Sequence, residues 1–150
     1  MIVGAVQTAS NGLAQFQLLL TNISPGPHTI TAEFVADAAY NGSTGSGTLT
    51  VLYNTIVTVK NVGGKAGQVI PLVAKLRRYP DAAVVAGETL TFKVNGTTVG
   101  TAITGSDGLA TLSYTIPGNL GLGDKPLEVD FPGDAVYNAS VGNGTLTIKP

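Results

Sequence analysis

The residues of this chain that could carry chemistry are few and scattered. His28 is the only histidine, and the chain contains no cysteine. A serine nucleophile needs a neighbouring base, and residues 53–150 contain no histidine. Because neither an acid–base pair nor a nucleophile–base set can be assembled from recurring residues, the sequence predicts a protein that is not an enzyme and has no cofactor.

Two aspartates recur in equivalent surroundings. Asp37 and Asp134 are each followed three residues later by a tyrosine, Tyr40 and Tyr137. An aspartate in such a turn accepts hydrogen bonds from backbone N–H groups, and we expect the tyrosine to close the end of the domain. The two carboxylates are also weak candidates for Ca²⁺, which takes about six to eight oxygen ligands. Only one carboxylate recurs, which favours the turn.

Lysine and asparagine offer two further kinds of modification. Lys60 or Lys93 would form an intramolecular isopeptide bond only if buried beside an asparagine and an acid, and both lysines alternate outward in the predicted strands. Glycosylation depends on a host that performs it, and turn-forming residues readily produce its Asn-x-Ser/Thr sequon. Five such sequons occur, at Asn22, Asn41, Asn95, Asn138 and Asn143.

Composition restricts the partners. Charged residues make up 11% of the chain and the formal net charge is −1. The lysines and arginines are scattered, whereas a phosphate backbone needs clustered cations, so no nucleic-acid partner is expected. No apolar run approaches the ~20 residues needed to span a bilayer, so no membrane insertion is expected.

The chain repeats part of itself. Residues 3–14 match residues 99–110, with seven of the twelve pairs identical. The segment beginning at Asp37 then matches the one beginning at Asp134, and residues 47–51 match 144–148. Residues 54–96 have no counterpart upstream. The sequence therefore predicts two domains: residues 1–52 as the late half of a repeat, and residues 53–150 as a complete repeat.

Alternation of apolar and polar residues predicts strands, and no stretch has helical periodicity. Further strands are expected at 55–61, 68–78 and 88–95, with Pro71 on an outward face and a hairpin turn at Asn95-Gly96. Within the second and third of these, one face is shared by Ile70, Leu72, Ala74 and Leu76 and by Leu90, Phe92 and Val94, respectively. Strands at short spacing, separated by glycine, proline and asparagine, predict an all-β sandwich. The inward-facing positions of the matched strands are Ala14, Phe16, Leu18, Leu20, Ile30, Ala32, Phe34, Leu49 and Val51 in the first copy, and Ala110, Leu112, Tyr114, Ile116, Leu127, Val129, Phe131, Leu146 and Ile148 in the second.

Three segments resemble bacterial immunoglobulin-like repeats. They are AGETLTFKVNGTTVGTA (86–102), DGLATL (107–112) and PHTITAEF (27–34), together with the two Asp-x-x-Tyr-x-x-Ser segments. The resemblance implies an immunoglobulin-like β-sandwich in tandem repeats and an extracellular or cell-surface bacterial location. It implies a non-enzymatic spacer or stalk repeat of an adhesin-like protein, with neighbouring immunoglobulin-like repeats as its partners. The alternatives are a self-assembling fibre or matrix subunit and an accessory carbohydrate-binding module.

The truncated first copy leaves an apolar face to be covered. Exposing its nine inward residues forfeits on the order of 10 kcal/mol of burial. Three covers are conceivable: sequence that continues before Met1, the complete repeat, or another chain. The third predicts self-association through residues 1–52, with two such halves packing across a two-fold axis.

Overall fold

The computed structural model describes residues 3–150, and this part of the chain contains strands but no helix. The strands are β1 (Gly26–Phe34), β2 (Ser43–Val51), β3 (Asn54–Val59), β4 (Val62–Lys65), β5 (Val69–Tyr79), β6 (Thr89–Val94), β7 (Thr97–Ile103), β8 (Leu109–Thr115), β9 (Gly123–Phe131) and β10 (Ser140–Lys149). The predicted all-β class is confirmed.

Strands β3 to β10 form a two-layer sandwich. One sheet has the order β4-β10-β9-β6-β7 and the other the order β3-β5-β8. The chain changes sheets between β3 and β4, within and just beyond the segment predicted as one strand at 55–61. Strand β4 was not predicted, because it is short and its two glycines hide the alternation. Gly64 is tightly packed there: a Cβ atom would lie 2.7 Å from Ile116 Cδ1.

The core between the two sheets consists of the predicted inward-facing side chains. The alternating positions of β5, β6, β9 and β10 are buried: Ile70, Leu72, Ala74, Leu76, Leu90, Phe92, Val94, Leu127, Val129, Phe131, Leu146 and Ile148. On β8, Ala110 is buried and Leu112 and Tyr114 are partly buried against the same core. The prediction for the second copy is confirmed.

Pro71 is exposed, as predicted, although β5 is the central strand of its sheet. The β3 ladder ends at Ala74, and the Val73 carbonyl accepts a bond from Lys60 on that side. Backbone groups alternate sides along a strand, so residues 71 and 73, two positions apart, share a side. The Pro71 nitrogen therefore also points to the β3 side of the strand, but beyond the end of β3. At Pro71 the strand is therefore locally an edge, where a missing N–H is tolerated.

Strands β1 and β2 form a separate two-stranded sheet that repeats the geometry of β9 and β10. Phe34 pairs with Ser43 and Gly26 with Val51 in the first hairpin. Phe131 pairs with Ser140 and Gly123 with Ile148 in the second. The two hairpins thus have the same register, position for position.

The prediction that residues 14–20 form a strand is wrong. These residues lie in no strand, and Phe16, Leu18 and Leu20 are exposed. Ile30, Ala32 and Phe34 are also exposed, and Leu49 and Val51 are only partly buried. The complete repeat supplies the reason: β8, the counterpart of residues 14–20, pairs only with β5. Residues 3–52 contain no strand equivalent to β5, so the backbone groups of residues 14–20 have no partner strand to pair with.

The first copy is also not covered by the complete repeat. Its apolar side chains Ile30 and Phe34 remain exposed, and the buried core begins at Val57. Of the three predicted covers, packing against the complete repeat is therefore not observed for residues 3–52, the described part of the first copy.

Candidate functional site

The two aspartates occupy the same tight turn in the two hairpins. Asp134 Oδ1 accepts bonds from the Val136 and Tyr137 amides, both at 2.7 Å. Asp37 Oδ1 accepts bonds from the Ala39 and Tyr40 amides, both at 2.8 Å. The predicted structural role of these carboxylates is confirmed, while Ca²⁺ binding by Asp37 or Asp134 stays a prediction.

The Asp134 turn is also where the chain enters the complete repeat. The Tyr53 amide donates to the Val136 carbonyl, and the Asn138 amide donates to the Tyr53 carbonyl, both at 2.8 Å. Thr55 Oγ1 donates to the Asn138 carbonyl at 2.8 Å and lies 2.6 Å from Ser140 Oγ. These bonds fix the first residues of the repeat to its last hairpin.

Aromatic side chains reinforce the same junction. Tyr137 is partly buried against the core, and its ring lies 6.0 Å from that of Tyr53. The Arg78 guanidinium stacks 4.2 Å above the Tyr53 ring and forms an ion pair with Asp81. Tyr137 therefore closes this end of the sandwich as predicted. Tyr40 is 69% exposed, because its hairpin has no core to close.

A second carboxyl lies beside Asp134. Burial, together with the neighbouring Asp134, raises the pKa of Glu88. The Val136 and Tyr137 amides lower the pKa of Asp134. The two pKa values thus shift in opposite directions from their usual values, as expected when only one of the carboxyls accepts hydrogen bonds from backbone donors.

The first and last segments of the complete repeat run side by side in the same direction. Tyr53 forms a parallel bridge with Tyr137, and β4 pairs in parallel with β10 from Val62–Leu146 to Lys65–Lys149. The chain therefore enters at the Asp134 turn and leaves at the opposite end. The ten residues of β10 separate these ends by about 33 Å.

Glycines allow this close approach. A Cβ atom at Gly142 would lie 2.5 Å from the Val57 carbonyl oxygen. One at Gly144 would lie 2.9 Å from Val59 Cγ1. Strand β3 therefore crosses β10 at a place where any larger residue would push it away. This crossing was not predicted from the sequence, although the matching Gly-x-Gly of both copies was a signal for it.

The other candidate residues are dispersed over the surface. Lys60 is exposed, and Lys93 forms ion pairs with Glu128 and Asp130 on the outer face of its sheet. Both lysines thus face outward, as predicted. His28 lies near the start of β1, where its Nε2 is 2.7 Å from the Ser24 carbonyl oxygen.

The five sequon asparagines lie mainly in turns and exposed strand positions. Asn22 and Asn95 have positive φ angles of 57° and 50°. Gly96 after Asn95 also has positive φ, which confirms the predicted hairpin turn. Asn138 donates to Asn54 Oδ1 at 2.8 Å. Asn41 and Asn143 are exposed.

The metal-ligating side chains within residues 3–150 are dispersed. That part of the chain contains no group of three or more His, Cys, Asp or Glu side chains that could hold a metal ion. An open depression of about 300 Å³ lies at the junction, lined in part by Leu52, Asp134 and Tyr137. Residues 3–150 include no helix long and apolar enough to cross a membrane.

Comparison with known proteins identifies structural neighbours only. No family model and no curated protein matches the chain. The tetra-tandem repeat from the extending region of a large adhesion protein is similar, with a TM-score of 0.51 and 20% identity over 86% of this chain and 33% of that chain. This chain thus spans about a third of that structure's length.

Two other solved structures are similar at lower scores. Fibronectin(III)-like modules of Clostridium thermocellum CbhA have a TM-score of 0.41 and 13% identity over 63% of this chain and 95% of that chain. Adhesin InvE of Yersinia pseudotuberculosis has a TM-score of 0.44 and 15% identity over 93% of this chain and 51% of that chain. The immunoglobulin-like sandwich implied by the resemblance is confirmed by the two-sheet arrangement of β3 to β10 and by the similarity to the tetra-tandem repeat.

Proposed function

We propose that the chain is a non-enzymatic structural segment of a bacterial extracellular or cell-surface protein of the adhesin type. It acts as a spacer built of tandem repeats, with the late half of one repeat at residues 1–52 and a complete repeat at 53–150. One observation carries this proposal: the entering segment and the leaving segment run in parallel, so the chain passes through the repeat from one end to the other.

This topology suits a repeat that bears tension. A force that pulls the two ends of the repeat apart slides β4 along β10, because the strands are parallel and the chain leaves them in opposite directions. The ladder bonds from Val62–Leu146 to Lys65–Lys149 are then loaded together. Rupture requires several bonds to break at once, whereas peeling the strands apart would break them in succession.

The short connection between the copies supports a stiff array. Strand β2 ends at Val51, and Tyr53 already bonds to the Asp134 turn. Leu52 alone separates the two, which leaves little length for independent movement. Fixed copies in series hold whatever lies at the end of the array at a set distance.

The similarity to an extending region of a large adhesion protein supports a spacer role over the alternatives. An extracellular location belongs to the same proposal. A self-assembling fibre subunit and an accessory carbohydrate-binding module stay predictions. The first requires pairing of the uncovered halves, and the second requires retention on immobilised polysaccharide that tyrosine substitutions abolish.

Single-molecule pulling tests the mechanical role. The chain has no cysteine, so introduced cysteines give defined attachment points. We expect attachment at Leu52→Cys and Pro150→Cys to load the β4–β10 ladder in shear and to give a severalfold higher unfolding force than attachment at Ala66→Cys and Pro150→Cys. The second pair lies at one end of the ladder and peels it.

A matched substitution sharpens the result. Gly63→Pro removes a backbone N–H within β4, and it should lower the force in the shear geometry more than in the peeling geometry. Equal forces in the two geometries would contradict the spacer mechanism, because the parallel terminal strands would then carry no special resistance.

A further inference from the structure

We propose that the uncovered face of the β1–β2 hairpin is a docking site for the early half of another repeat of this kind. The occupant is a segment with strands equivalent to β3, β4, β5 and β6. This inference goes beyond the spacer role, since it concerns a surface that the hairpin presents whatever load the repeat bears. The complete repeat provides the template, because its matching hairpin β9–β10 pairs with β4 and β6 and faces the sheet that contains β3 and β5.

The first observation is the open space above two glycines of β2, where another strand could cross. Gly142 and Gly144 are required in β10 because β3 passes over them, at Val57 and Val59. Their counterparts in β2 are Gly45 and Gly47, in the same register. Nothing lies within 4 Å of a Cβ atom built at Gly45, and only the Ile30 side chain lies near one at Gly47. The β1–β2 hairpin thus leaves room for a strand equivalent to β3, and no such strand lies there within residues 3–150.

The second observation is an acidic side chain of β1 that lacks an ion-pair partner within residues 3–150. In the complete repeat Lys93 of β6 forms ion pairs with Glu128 and Asp130 of β9. Glu33 stands at the β1 position that matches Asp130, and it forms no salt bridge within residues 3–150. A β6-like strand beside β1 would bring a lysine to this carboxylate. The charge on β1 therefore fits an early half of the same sequence type.

The third observation concerns backbone groups at the Asp37 turn. In the complete repeat the Val136 carbonyl and the Asn138 amide bond to Tyr53. The matching groups are the Ala39 carbonyl and the Asn41 amide, and they make no such bond within residues 3–150. An incoming early half would place a residue equivalent to Tyr53 between them.

A second copy of this chain fits the surface less well. In a second copy the strands β3 to β6 already pack with β9 and β10 of the same chain, so they are not available to the hairpin. Two hairpins facing each other would cover apolar area, but neither would fill the clearance above Gly45 with a crossing strand. The occupant is therefore an early half from a further repeat.

The test supplies that occupant. In an extended variant, a copy of residues 53–98 is joined directly ahead of Val3, which matches Val99. We expect hydrogen exchange of amides in residues 14–20 and in β1 and β2 to slow by at least about 100-fold relative to the unextended chain, because exchange then requires opening of a closed repeat. Unchanged exchange in these segments would overturn the proposal.

Substitutions in β2 separate docking from nonspecific stabilisation. Gly45→Val in the extended variant should abolish most of the added protection, because the crossing strand meets the new side chain. Ser46→Val is the control: it lies on the opposite face of β2, like the exposed Asn143 of β10, and should leave the protection in place. Equal effects of the two substitutions would contradict a β3-like occupant.

The unextended chain provides the remaining arm. Light scattering across a concentration series should give a monomer, with β1–β2 amides that exchange freely. A dimer whose β1–β2 amides are protected would overturn the proposal, since a second copy would then be the occupant. Failure of the pulling experiment would leave this result unaffected, because exchange and mass are measured without load.

Discussion

The β1–β2 and β9–β10 hairpins have the same register and the same aspartate turn, yet they differ in burial and in the strands that flank them. Phe131 is 2% exposed and its counterpart Phe34 is 44% exposed. Strands β7 and β8 exist only in the complete repeat, where they pair with β6 and β5. Residues 3–20, which match residues 99–116, form no strand. Strands that pair with a sequence neighbour are thus retained, and strands that depend on an early partner are lost.

This difference separates local from long-range determinants. A hairpin closes through a short turn and its own ladder, at little cost in loop entropy. A strand whose only partner lies about 40 residues away in the sequence forms only when that partner is present, as β8 and β5 illustrate. Sequence identity between the copies therefore guarantees the turn but not the sandwich.

The largest contrast is expected at the paired phenylalanines. Phe131→Ala should lower the free energy of unfolding of the complete repeat by about 3–5 kcal/mol, because it empties a buried site. Phe34→Ala should change it by less than about 0.5 kcal/mol, because that side chain is already exposed. Urea denaturation followed by tyrosine fluorescence measures both. A comparable loss from Phe34→Ala would show that the first hairpin is packed in solution.

A smaller contrast is expected at the paired glycines. Gly142→Ala should cost about 1–3 kcal/mol, because the new methyl group overlaps the Val57 carbonyl and forces β3 outward. Gly45→Ala should be neutral or slightly stabilising to the hairpin, since it meets nothing and restricts the unfolded chain. Thermal unfolding of the two variants compares them directly. Destabilisation by Gly45→Ala would mean that the clearance above β2 is already filled.

The smallest contrast is expected at the paired aspartates, and it depends on pH. Asp134→Ala removes two backbone hydrogen bonds at an exposed turn and should cost about 1 kcal/mol near neutral pH. The pKa of Asp134 is lowered in the folded state, so its contribution is present above the ordinary pKa of about 4 and is lost as the pH falls through the folded value.

The control for this prediction is Asp37→Ala, which should leave the unfolding of the complete repeat unchanged at every pH. Denaturation curves at a series of pH values give the comparison. A cost of Asp134→Ala that persists undiminished in strong acid would contradict the assigned role of the carboxylate.

Much of the sandwich could be predicted from alternation alone. The positions of Leu72, Phe92 and Val129 were recognisable because an apolar residue at every second position must face a core. The aspartate turns were recognisable because their hydrogen bonds are made within three residues. Strand β4 was missed, since two of its four residues are glycines and carry no side chain to reveal a face.

The junction was not predictable in the same way. Bonds from Tyr53 to the Asp134 turn, and the passage of β3 over Gly142, join residues more than 80 positions apart. The Gly-x-Gly signal was visible in both copies, but a glycine in a strand also occurs in bulges and bends. Only the fold distinguishes these causes.

Local sequence was sufficient to predict the all-β class, the inward faces of the strands and the aspartate turns, because each depends on contacts within a hairpin or on strand periodicity. The partial repeat was visible in the residues themselves. Tertiary structure alone decided which of the matched segments became strands, how the chain crosses from end to end, and which apolar face remained uncovered. These outcomes depend on ladder partners far away in the sequence, and a backbone without such a partner gains no hydrogen bonds by extending.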